Sequence, residues 1–273
     1  MDKTGPKFRR RLNEQQLAIL DLLFRFRFGT TDLVACSLGK KNGIFVHKSL
    51  GNLVDQGYMA KRYEPSYKLK GQHASYYLTP KALRLLRDGK RQEDITDKVI
   101  KNSYKDKTVT EGFISRCLVL FGVYNQLVNL YPDLKLFTKQ ELGSFNYLPQ
   151  PLPDAYIALK AKDTTKRFLL ELIEDKTPSY IVDFRIRQLI TYYQDQTWEI
   201  TKSPFPPILC ICESGTLERR LTRQITRLLY RNDCDMAFYT TTMKALLQIV
   251  KDNDKVWTST AEPEELLRLQ NTS

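Results

Sequence analysis

Three short motifs in the second half of the sequence carry residue types that can cleave phosphodiester bonds. Asp154 precedes one apolar stretch, the triplet 174–176 follows another, and a helical segment follows the triplet. The candidate residues are Asp154, Glu174, Asp175, Lys176, Gln188 and Tyr192. Two carboxylates and a lysine that meet at strand ends can hold a divalent metal ion and activate water for attack on a phosphate. The motifs therefore predict a metal-assisted nuclease site.

Each residue type has a definite role in such a site. Asp154 and Glu174 offer anionic oxygens to a hard cation, Mg²⁺ or Mn²⁺. Lys176 stands two residues after Glu174 along a strand, so its side chain projects to the same face and can orient or deprotonate the attacking water. Gln188 and Tyr192 lie four residues apart on a helix and line the same cavity.

Glu171 is an alternative metal ligand. It lies on the same apolar strand as Glu174 but on the opposite face. A buried carboxylate without a partner is costly, so Glu171 either has a partner or is itself the ligand. In that second register the position of the lysine is held by Ile173. Both registers remain open from the sequence.

Periodicity places these motifs in an α/β domain. The predicted elements are a helix at 110–131, strands at 134–137, 155–159 and 168–173, a helix at 180–193, a strand at 208–212, a helix at 216–229, a strand at 236–239 and a helix at 242–250. Turn residues 162–165 form the tip of a hairpin between the two motif strands. This order of helix, three strands, helix and strand (αβββαβ) resembles the core of restriction endonucleases.

The first part of the chain has the pattern of a winged helix-turn-helix, an α+β domain. Three amphipathic helices begin near Asn13, Thr31 and Gly43, and glycines end them, the first at Gly29. Two strands, at 58–63 and 75–78, flank a basic tip. In folds of this kind the third helix enters the major groove of DNA and the wing follows the backbone.

The net charge is confined to this first part. Residues 1–109 contain 23 Lys and Arg against 11 Asp and Glu, a difference of +12, whereas residues 110–273 contain 20 of each. Such segregation indicates a surface that binds a phosphate backbone, so DNA is the predicted partner. The predicted domains are 1–88, a charged linker at 89–109, and 110–273.

The candidate DNA contacts follow from this interpretation. They are basic or polar residues of the N-terminal tail, the turn before the third helix, that helix, and the wing. They are Arg9, Arg10, Arg11, Lys40, Lys41, His47, Lys48, Asn52, Lys61, Arg62, Lys68, Lys70 and His73.

Composition excludes several other classes of protein. The basic N-terminus lacks an apolar segment behind it, which argues against a secretory signal and favours a cytoplasmic protein. No uninterrupted apolar run approaches the ~18 residues of a membrane span, so no membrane partner is expected. The five cysteines lack paired spacing and the two histidines are too few for a histidine-rich metal site.

The motifs resemble those of the PD-(D/E)xK nuclease superfamily, including its Gln-x-x-x-Tyr branch. The whole arrangement resembles the replication-relaxation family and the related MobC-type mobilisation relaxases. The matching segments are LNEQQLAILDLLFRFRFGTTDLV, LVDQGYMAKR, YYLTPKAL, LPDAYIAL, RFLLELIEDKT and RQLITYY. Many members of the family carry Glu-x-Asp on the core strand, and the segment from Glu171 to Ile173 departs from that pattern.

This resemblance implies a fold, a cofactor and a cellular role. The backbone carbonyl of Asp175 would complete the metal ligands, and Gln188 and Tyr192 would position metal, water or substrate. The protein would bind and nick DNA in plasmid or mobile-element replication or mobilisation, with other mobilisation or replication proteins as further partners. The alternative is a catalytically inactive nuclease fold that serves as a DNA-binding regulator or replication initiator.

Overall fold

Two units make up the chain, Met1–Leu118 and Val119–Ser273. The structure is a computed structural model that describes residues 11–64, 67, 69, 71, 73–92, 94–161, 164–249, 254–262 and 264–272. The protein is a mixed α+β structure, with a two-stranded sheet in the first unit and a mixed seven-stranded sheet in the second.

The first unit begins with three helices and two strands. In order, its elements are α1 (Glu14–Phe26), α2 (Thr31–Ser37), α3 (Ile44–Asp55), β1 (Met59–Arg62), β2 (Ser75–Leu78), α4 (Pro80–Asp88), α5 (Asp97–Ser103), a 3-10 turn (Tyr104–Lys107) and the start of α6 (Glu111–Leu130). Strands β1 and β2 pair antiparallel. The elements follow the predicted order, and their interpretation as a winged helix stays a prediction.

Helix α1 begins where the sequence indicates but ends earlier than expected. The Asn13 side chain accepts a hydrogen bond from the Gln16 N–H at 2.9 Å, and the Gln16 side chain accepts one from the Asn13 N–H at 3.1 Å, which is a capping box. The helix ends at Phe26 because Arg27 adopts a φ of 64°. Gly29 instead exchanges two backbone hydrogen bonds with Tyr76 of β2.

The charged segment at 89–109 contains a helix and buried side chains. Ile100 and Asp106 are buried within the first unit. The guanidinium of Arg27 forms an ion pair with Asp106 and lies 4.6 Å from the ring centroid of Phe113. Burial raises the pKa of Asp106 although Arg27 opposes the shift. Residues 97–107 thus pack on the first unit, whereas the sequence suggested a linker there.

The second unit is built on the seven-stranded sheet. Its further elements are β3 (Leu134–Thr138), α7 (Lys139–Leu142), β4 (Ala155–Ala161), β5 (Thr164–Ile173), α8 (Ser179–Gln194), a 3-10 turn (Thr197–Thr201), β6 (Ile208–Cys212), α9 (Gly215–Arg231), β7 (Phe238–Thr242), α10 (Met243–Leu247), β8 (Trp257–Ser259), β9 (Leu266–Leu267) and a 3-10 turn (Leu269–Asn271). The strands lie in chain order from β3 to β9. Strands β5, β6 and β7 are parallel neighbours, and the other neighbouring pairs are antiparallel.

Helices α8 and α9 cover one face of this sheet. Leu169 of β5 and Ile208 of β6 pack in one buried cluster with Ile186 of α8 and Leu221 of α9. Side chains alternate between the two faces of a strand, so residues 169, 171 and 173 of β5 share the face beneath these helices. Tyr156 of β4 packs on the same cluster, which places position 154 on that face too.

Among the described residues, one helix is long and apolar enough to span a membrane. It is α6, with 20 residues. From the sequence we expected no membrane-spanning segment, because no uninterrupted apolar run is long enough. Helix α6 contains polar residues between its apolar ones and is apolar only on average. Phe121, Val123 and Leu127 of α6 are buried within the protein. A single helix of this kind is weak support for a membrane segment, since core helices pass the same test.

Candidate active site

Asp154 and Glu171 lie close together beside the paired strands β4 and β5. The pairing begins at Ala155 with Leu170, and the N–H of Asp154, the residue before it, also donates to the Leu170 carbonyl at 2.9 Å. Besides burial, the charge of Asp154 contributes to the raised pKa of Glu171, so the two carboxylates are near each other.

Both carboxylate oxygens of Asp154 have partners. Oδ2 accepts a hydrogen bond from the Leu172 N–H at 2.8 Å, and Oδ1 lies 2.8 Å from the Nζ of Lys139. Lys139 is the first residue of α7, which follows β3 directly and begins with a capping box between Thr138 and Glu141. This helix start brings the ammonium group to Asp154, whose side chain is 4% exposed.

Glu171 is held by an arginine from α8. Its Oε1 accepts hydrogen bonds from Nε of Arg185 at 3.0 Å and from Nη2 of the same guanidinium. The side chains are 8% and 13% exposed for Glu171 and Arg185. Burial raises the pKa of Glu171, the attraction of Arg185 opposes this shift, and the nearby charge of Asp154 adds to it. The net direction is upward because desolvation is the largest cause.

Asp154, Glu171, Lys139 and Arg185 form what we call the four-residue cluster. It holds two carboxylates and two basic groups, so its formal charges balance. Nη1 of Arg185 is buried and has no hydrogen-bond partner among the described residues. A buried donor without an acceptor is costly, and a water or a phosphate oxygen at Nη1 would satisfy it.

The triplet Glu174, Asp175 and Lys176 lies in the turn after β5, which ends at Ile173. The Nζ of Lys176 is 2.7 Å from Oε2 of Glu174, and the Lys176 side chain is 66% exposed. Three residues of extended chain, about 10 Å, separate Glu174 from Glu171. The carboxylate close to Asp154 is that of Glu171, and catalytic roles for Glu174 and Lys176 stay predictions.

Asp175 connects the turn after β5 to the start of α9. Its N–H donates to Oε2 of Glu213 at 2.8 Å, and its Oδ1 accepts from the Ser214 hydroxyl at 2.7 Å. Ser214 also caps α9 by accepting from the Leu217 N–H. The Asp175 side chain thus joins two loops at the same end of the parallel strands β5 and β6.

Gln188 and Tyr192 follow Arg185 on α8 by three and seven residues, so the three side chains share one helix face. Gln188 is half-buried. The Tyr192 hydroxyl donates to the carbonyl of Tyr147, and the Tyr192 ring packs near Phe205 with centroids 6.0 Å apart. Burial raises the pKa of the Tyr192 phenol. Tyr192 therefore contributes contacts within the protein, and its catalytic role stays a prediction.

Lys139 and Arg185 were missed by the sequence reasoning. Thr138 and Glu141 are spaced as a capping box, a signal that could have placed a helix start, and hence Lys139, at the end of β3. Arg185 could have been found by its spacing, since it precedes Gln188 by one helical turn. No sequence pattern indicates that these two cations lie against Asp154 and Glu171, because all four residues come from different elements.

Asp154 and Glu171 can supply only two side-chain ligands to a divalent ion. Within the described ranges no group of three or more His, Cys, Asp or Glu side chains could hold a metal. Mg²⁺, however, is commonly bound through one or two carboxylates, with water and substrate phosphate completing its ligands. Asp154 and Glu171 meet that smaller requirement, and an ion there would compete with Lys139 and Arg185 for the carboxylate oxygens.

Most predicted DNA contacts that the structure describes are exposed. The exposed ones are Arg11, Lys40, Lys41, His47, Lys48, Asn52, Lys61 and His73. The apolar residues of α3 predict a buried stripe of Val46, Leu50, Leu53 and Val54; the first three are buried and Val54 is half-buried, which leaves His47 and Lys48 on the outer side. Arg9, Arg10, Lys68 and Lys70 lie outside the described residues.

Arg62 has a different environment. Its Nη1 donates to the Val109 carbonyl at 2.6 Å and its Nη2 to Oε1 of Glu111 at 2.7 Å. Its side chain is only 20% exposed. This guanidinium binds Val109 and the first residue of α6, so its expected contact with DNA has no support in its geometry.

Comparisons with known proteins give little beyond this geometry. No family model and no curated protein match the sequence. Among solved structures the chain is similar to the restriction endonuclease FokI, with 14% identity, a TM-score of 0.33 and coverage of 85% of this chain and 42% of that chain. It is also similar to FokI bound to DNA, with 11% identity, a TM-score of 0.31 and coverage of 85% and 43%. The chain thus spans less than half of the FokI chains, and similarity this low carries no argument.

Proposed function

We propose that this chain is a DNA-binding protein whose second unit is a Mg²⁺- or Mn²⁺-dependent DNA endonuclease with a restriction-endonuclease-like fold. The observation that carries the proposal is that Asp154 and Glu171 lie close together at the start of β4, with Lys139 against Asp154. Two carboxylates and a lysine are the groups that the sequence motifs predict. Glu171 and Lys139 take the places first expected for Glu174 and Lys176.

Each residue of the four-residue cluster has a task in this proposal. Asp154 and Glu171 hold the ion, which supplies Lewis-acid chemistry at the phosphate when bound. Lys139, as an ammonium, orients the attacking water and stabilises negative charge on the phosphate while the bond from the water oxygen to phosphorus forms, the bond to one ester oxygen breaks, and the proton of the water passes to solvent. Arg185 positions Glu171, and its Nη1, buried without a partner among the described residues, would donate to a phosphate oxygen.

DNA binding is assigned to the first unit. The +12 charge of residues 1–109 and the exposed side of α3, with Lys48 and Asn52, support a winged-helix domain that reads DNA. The resemblance of the motifs to mobilisation relaxases extends the proposal to nicking in plasmid or mobile-element replication or mobilisation. Other mobilisation or replication proteins, and a cytoplasmic location, belong to the same proposal.

A second function is favoured by one specific observation. Both carboxylates already have basic partners, and Ile173 occupies the position where the superfamily pattern has lysine. Buried ion pairs of this kind also occur as purely structural features. The second candidate is therefore a DNA-binding regulator or replication initiator in which the nuclease fold is inactive.

A nicking assay on supercoiled plasmid with Mg²⁺ or Mn²⁺ separates the two functions. We expect the wild type to nick, and Asp154→Asn and Glu171→Gln to lower the rate at least about 100-fold through loss of a ligand. The matched control is Glu174→Gln, the same change three residues further along the chain, which should nick at the wild-type rate. Loss in Glu174→Gln but not in Glu171→Gln would favour the first register of the sequence motifs.

Protein folding is checked in the same experiment. The double variant Glu171→Met, Arg185→Met replaces the buried pair by apolar side chains of similar size, an exchange that is often tolerated. It should fold yet fail to nick. Calorimetric titration with Mn²⁺ provides a readout that needs no cleavage. DNA binding without nicking by the wild type in either metal would favour the inactive regulator.

A further inference from the structure

Helix α9 has an arginine-rich outer side. Five of its residues are exposed arginines: Arg219, Arg220, Arg223, Arg227 and Arg231. At about 100° per residue they fall within an arc of about 120° around the helix axis, and they extend over about 18 Å. Tyr230, which is 88% exposed, lies in the same arc. We call these six residues the α9 arginine face.

The packing of α9 fixes the direction of this face. Leu217, Leu221, Ile225 and Leu228 are buried in the core beneath the helix, on the side opposite the arginines. The one acidic residue of α9 is Glu218, which is half-buried and outside the arc. Residues 110–273 are neutral in total, so the arginine face concentrates positive charge on one surface of a neutral unit.

Within the described residues the arginines of the face form no salt bridge with an acidic side chain. Arg227 helps Arg187 to lower the pKa of Asp183, and Arg219 opposes the rise that burial causes in the pKa of Glu218, but the hydrogen bonds of Asp183 go to Arg187 and to Gln224. Five arginines on one side of a helix repel one another, and a polyanion would relieve that repulsion.

We propose that the α9 arginine face binds the phosphate backbone of DNA. Arginine presents a planar fork of donors that matches phosphate oxygens, and α9 contains five arginines and no lysine. Arginines four residues apart stand about 6 Å apart along the helix, so several phosphates of one strand can be contacted together. The phenol ring of Tyr230 offers a flat surface at the end of the row, on which a base can stack.

A membrane surface fits this face less well than DNA. Interfacial helices insert a broad apolar side between lipid headgroups. The apolar side of α9 is already buried against the sheet, so only guanidinium groups and Tyr230 are available.

The position of α9 connects this surface with the candidate active site. Gln224 of α9 donates to Asp183 of α8 at 3.1 Å, so the two helices are direct neighbours. Asp183 precedes Arg185 by two residues, and packed helices lie about 10 Å apart. A DNA strand on the arginine face therefore runs beside the helix that holds Glu171. The inference rests on the proposed function in taking DNA as the polyanion and adds a binding surface to the unit proposed to cleave it.

The test measures the salt dependence of binding between the full chain and a short mixed-sequence DNA duplex, in EDTA so that no cleavage occurs. Each phosphate contact contributes about 1 to the slope of log affinity against log salt concentration. We expect the double variant Arg223→Ala, Arg227→Ala to reduce the slope by about 2. The matched control Lys135→Ala, Lys160→Ala removes the same charge from exposed positions on β3 and β4 and should leave the slope nearly unchanged.

The outcomes separate this inference from the proposed nuclease. An unchanged slope in the arginine variant, or an equal reduction in the lysine control, would overturn it even if the wild type nicks plasmid. A wild type that binds this duplex but does not nick leaves the inference standing and contradicts only the nuclease. Unchanged DNA binding combined with lost binding to phosphatidylserine vesicles would assign the face to a membrane and overturn the proposal.

Discussion

Arg185 donates two hydrogen bonds to one carboxylate oxygen of Glu171, and both side chains are buried between β5 and α8. Such a pair stabilises a fold little compared with apolar packing, but removing one partner leaves an uncompensated charge in the interior. The buried charge of Glu171 is therefore compensated only when α8 is in place. Substituting Arg185 reports on the charge of Glu171, and substituting Glu171 reports on that of Arg185.

Replacement of Arg185 by alanine should destabilise the second unit by about 3–5 kcal/mol near neutral pH, because Glu171 then lacks its partner. Trp198 and Trp257 are the only tryptophans and are buried in this unit, so their emission during urea unfolding reports on it. The control is Arg187→Ala, which removes an arginine that is 49% exposed and paired with Asp183. It should cost at most about 1 kcal/mol. Equal losses in the two variants would contradict the buried pair.

Stability should depend on pH through Glu171. Its pKa is raised in the folded state, so its protonated form favours folding. The stabilisation by protonated Glu171 is fully present below the ordinary pKa of a glutamate, about 4.3. It is lost as the pH rises through the raised pKa of Glu171 in the folded protein. The glutamine of Glu171→Gln cannot ionise. The free energy of unfolding of this variant, minus that of the wild type, should therefore increase as the pH rises through this window. Tryptophan-monitored urea unfolding at several pH values measures the difference, and a difference that is constant with pH would contradict the raised pKa.

Lys139→Met should lower the nicking rate by about 10²–10³, the range typical of removing one group that stabilises charge in the transition state. The control is Lys135→Met on the neighbouring strand β3, which removes an exposed ammonium group that has no place in the proposed site. Lys176→Met tests the lysine of the sequence motif in the same assay. Normal nicking by Lys139→Met together with a loss in Lys176→Met would reverse our assignment of the lysine.

Two basic residues of the first unit should respond in opposite ways. Lys48→Ala should weaken DNA binding uniformly across sequences and reduce the salt slope by about 1, as for a phosphate contact. Arg62→Ala should instead destabilise the first unit, because Arg62 bonds the Val109 carbonyl and Glu111. Hydrogen exchange of residues 11–118 shows the destabilisation, and titrations at several salt concentrations show the binding. If Arg62→Ala reduced the salt dependence of DNA binding and left the hydrogen exchange of residues 11–118 unchanged, Arg62 would be a DNA contact after all.

The core strands and helices of the second unit could be predicted from the sequence because their patterns are local. Alternating and continuous apolar runs gave β3 to β7, and helical periodicity gave α8 and α9. Strands β8 and β9 were missed, since each has at most three residues. The final helix was predicted over 242–250, whereas α10 covers only Met243–Leu247.

The candidate site was only partly predictable because its members meet through pairing register and helix packing. Asp154 was found from its place before a strand. The choice between Glu171 and Glu174 depends on which of them lies near Asp154, and the pairing of β4 with β5 that brings them together is not written in any local pattern. Lys139 and Arg185 reach the carboxylates from α7 and α8, and a linear pattern does not report such contacts.

The β4–β5 hairpin has a consequence for the order of folding. Closing the hairpin brings Asp154 close to Glu171 from nearby positions in the chain, but the arginine that compensates Glu171 arrives only when α8 docks. If the hairpin forms before α8 docks, the carboxylates of Asp154 and Glu171 repel each other whenever both are ionised. We expect refolding to slow as the pH rises above the pKa of Glu171, and Glu171→Gln to remove this dependence. Stopped-flow refolding monitored by tryptophan emission would show it, and identical pH profiles for the two proteins would mean that α8 docks before the hairpin closes.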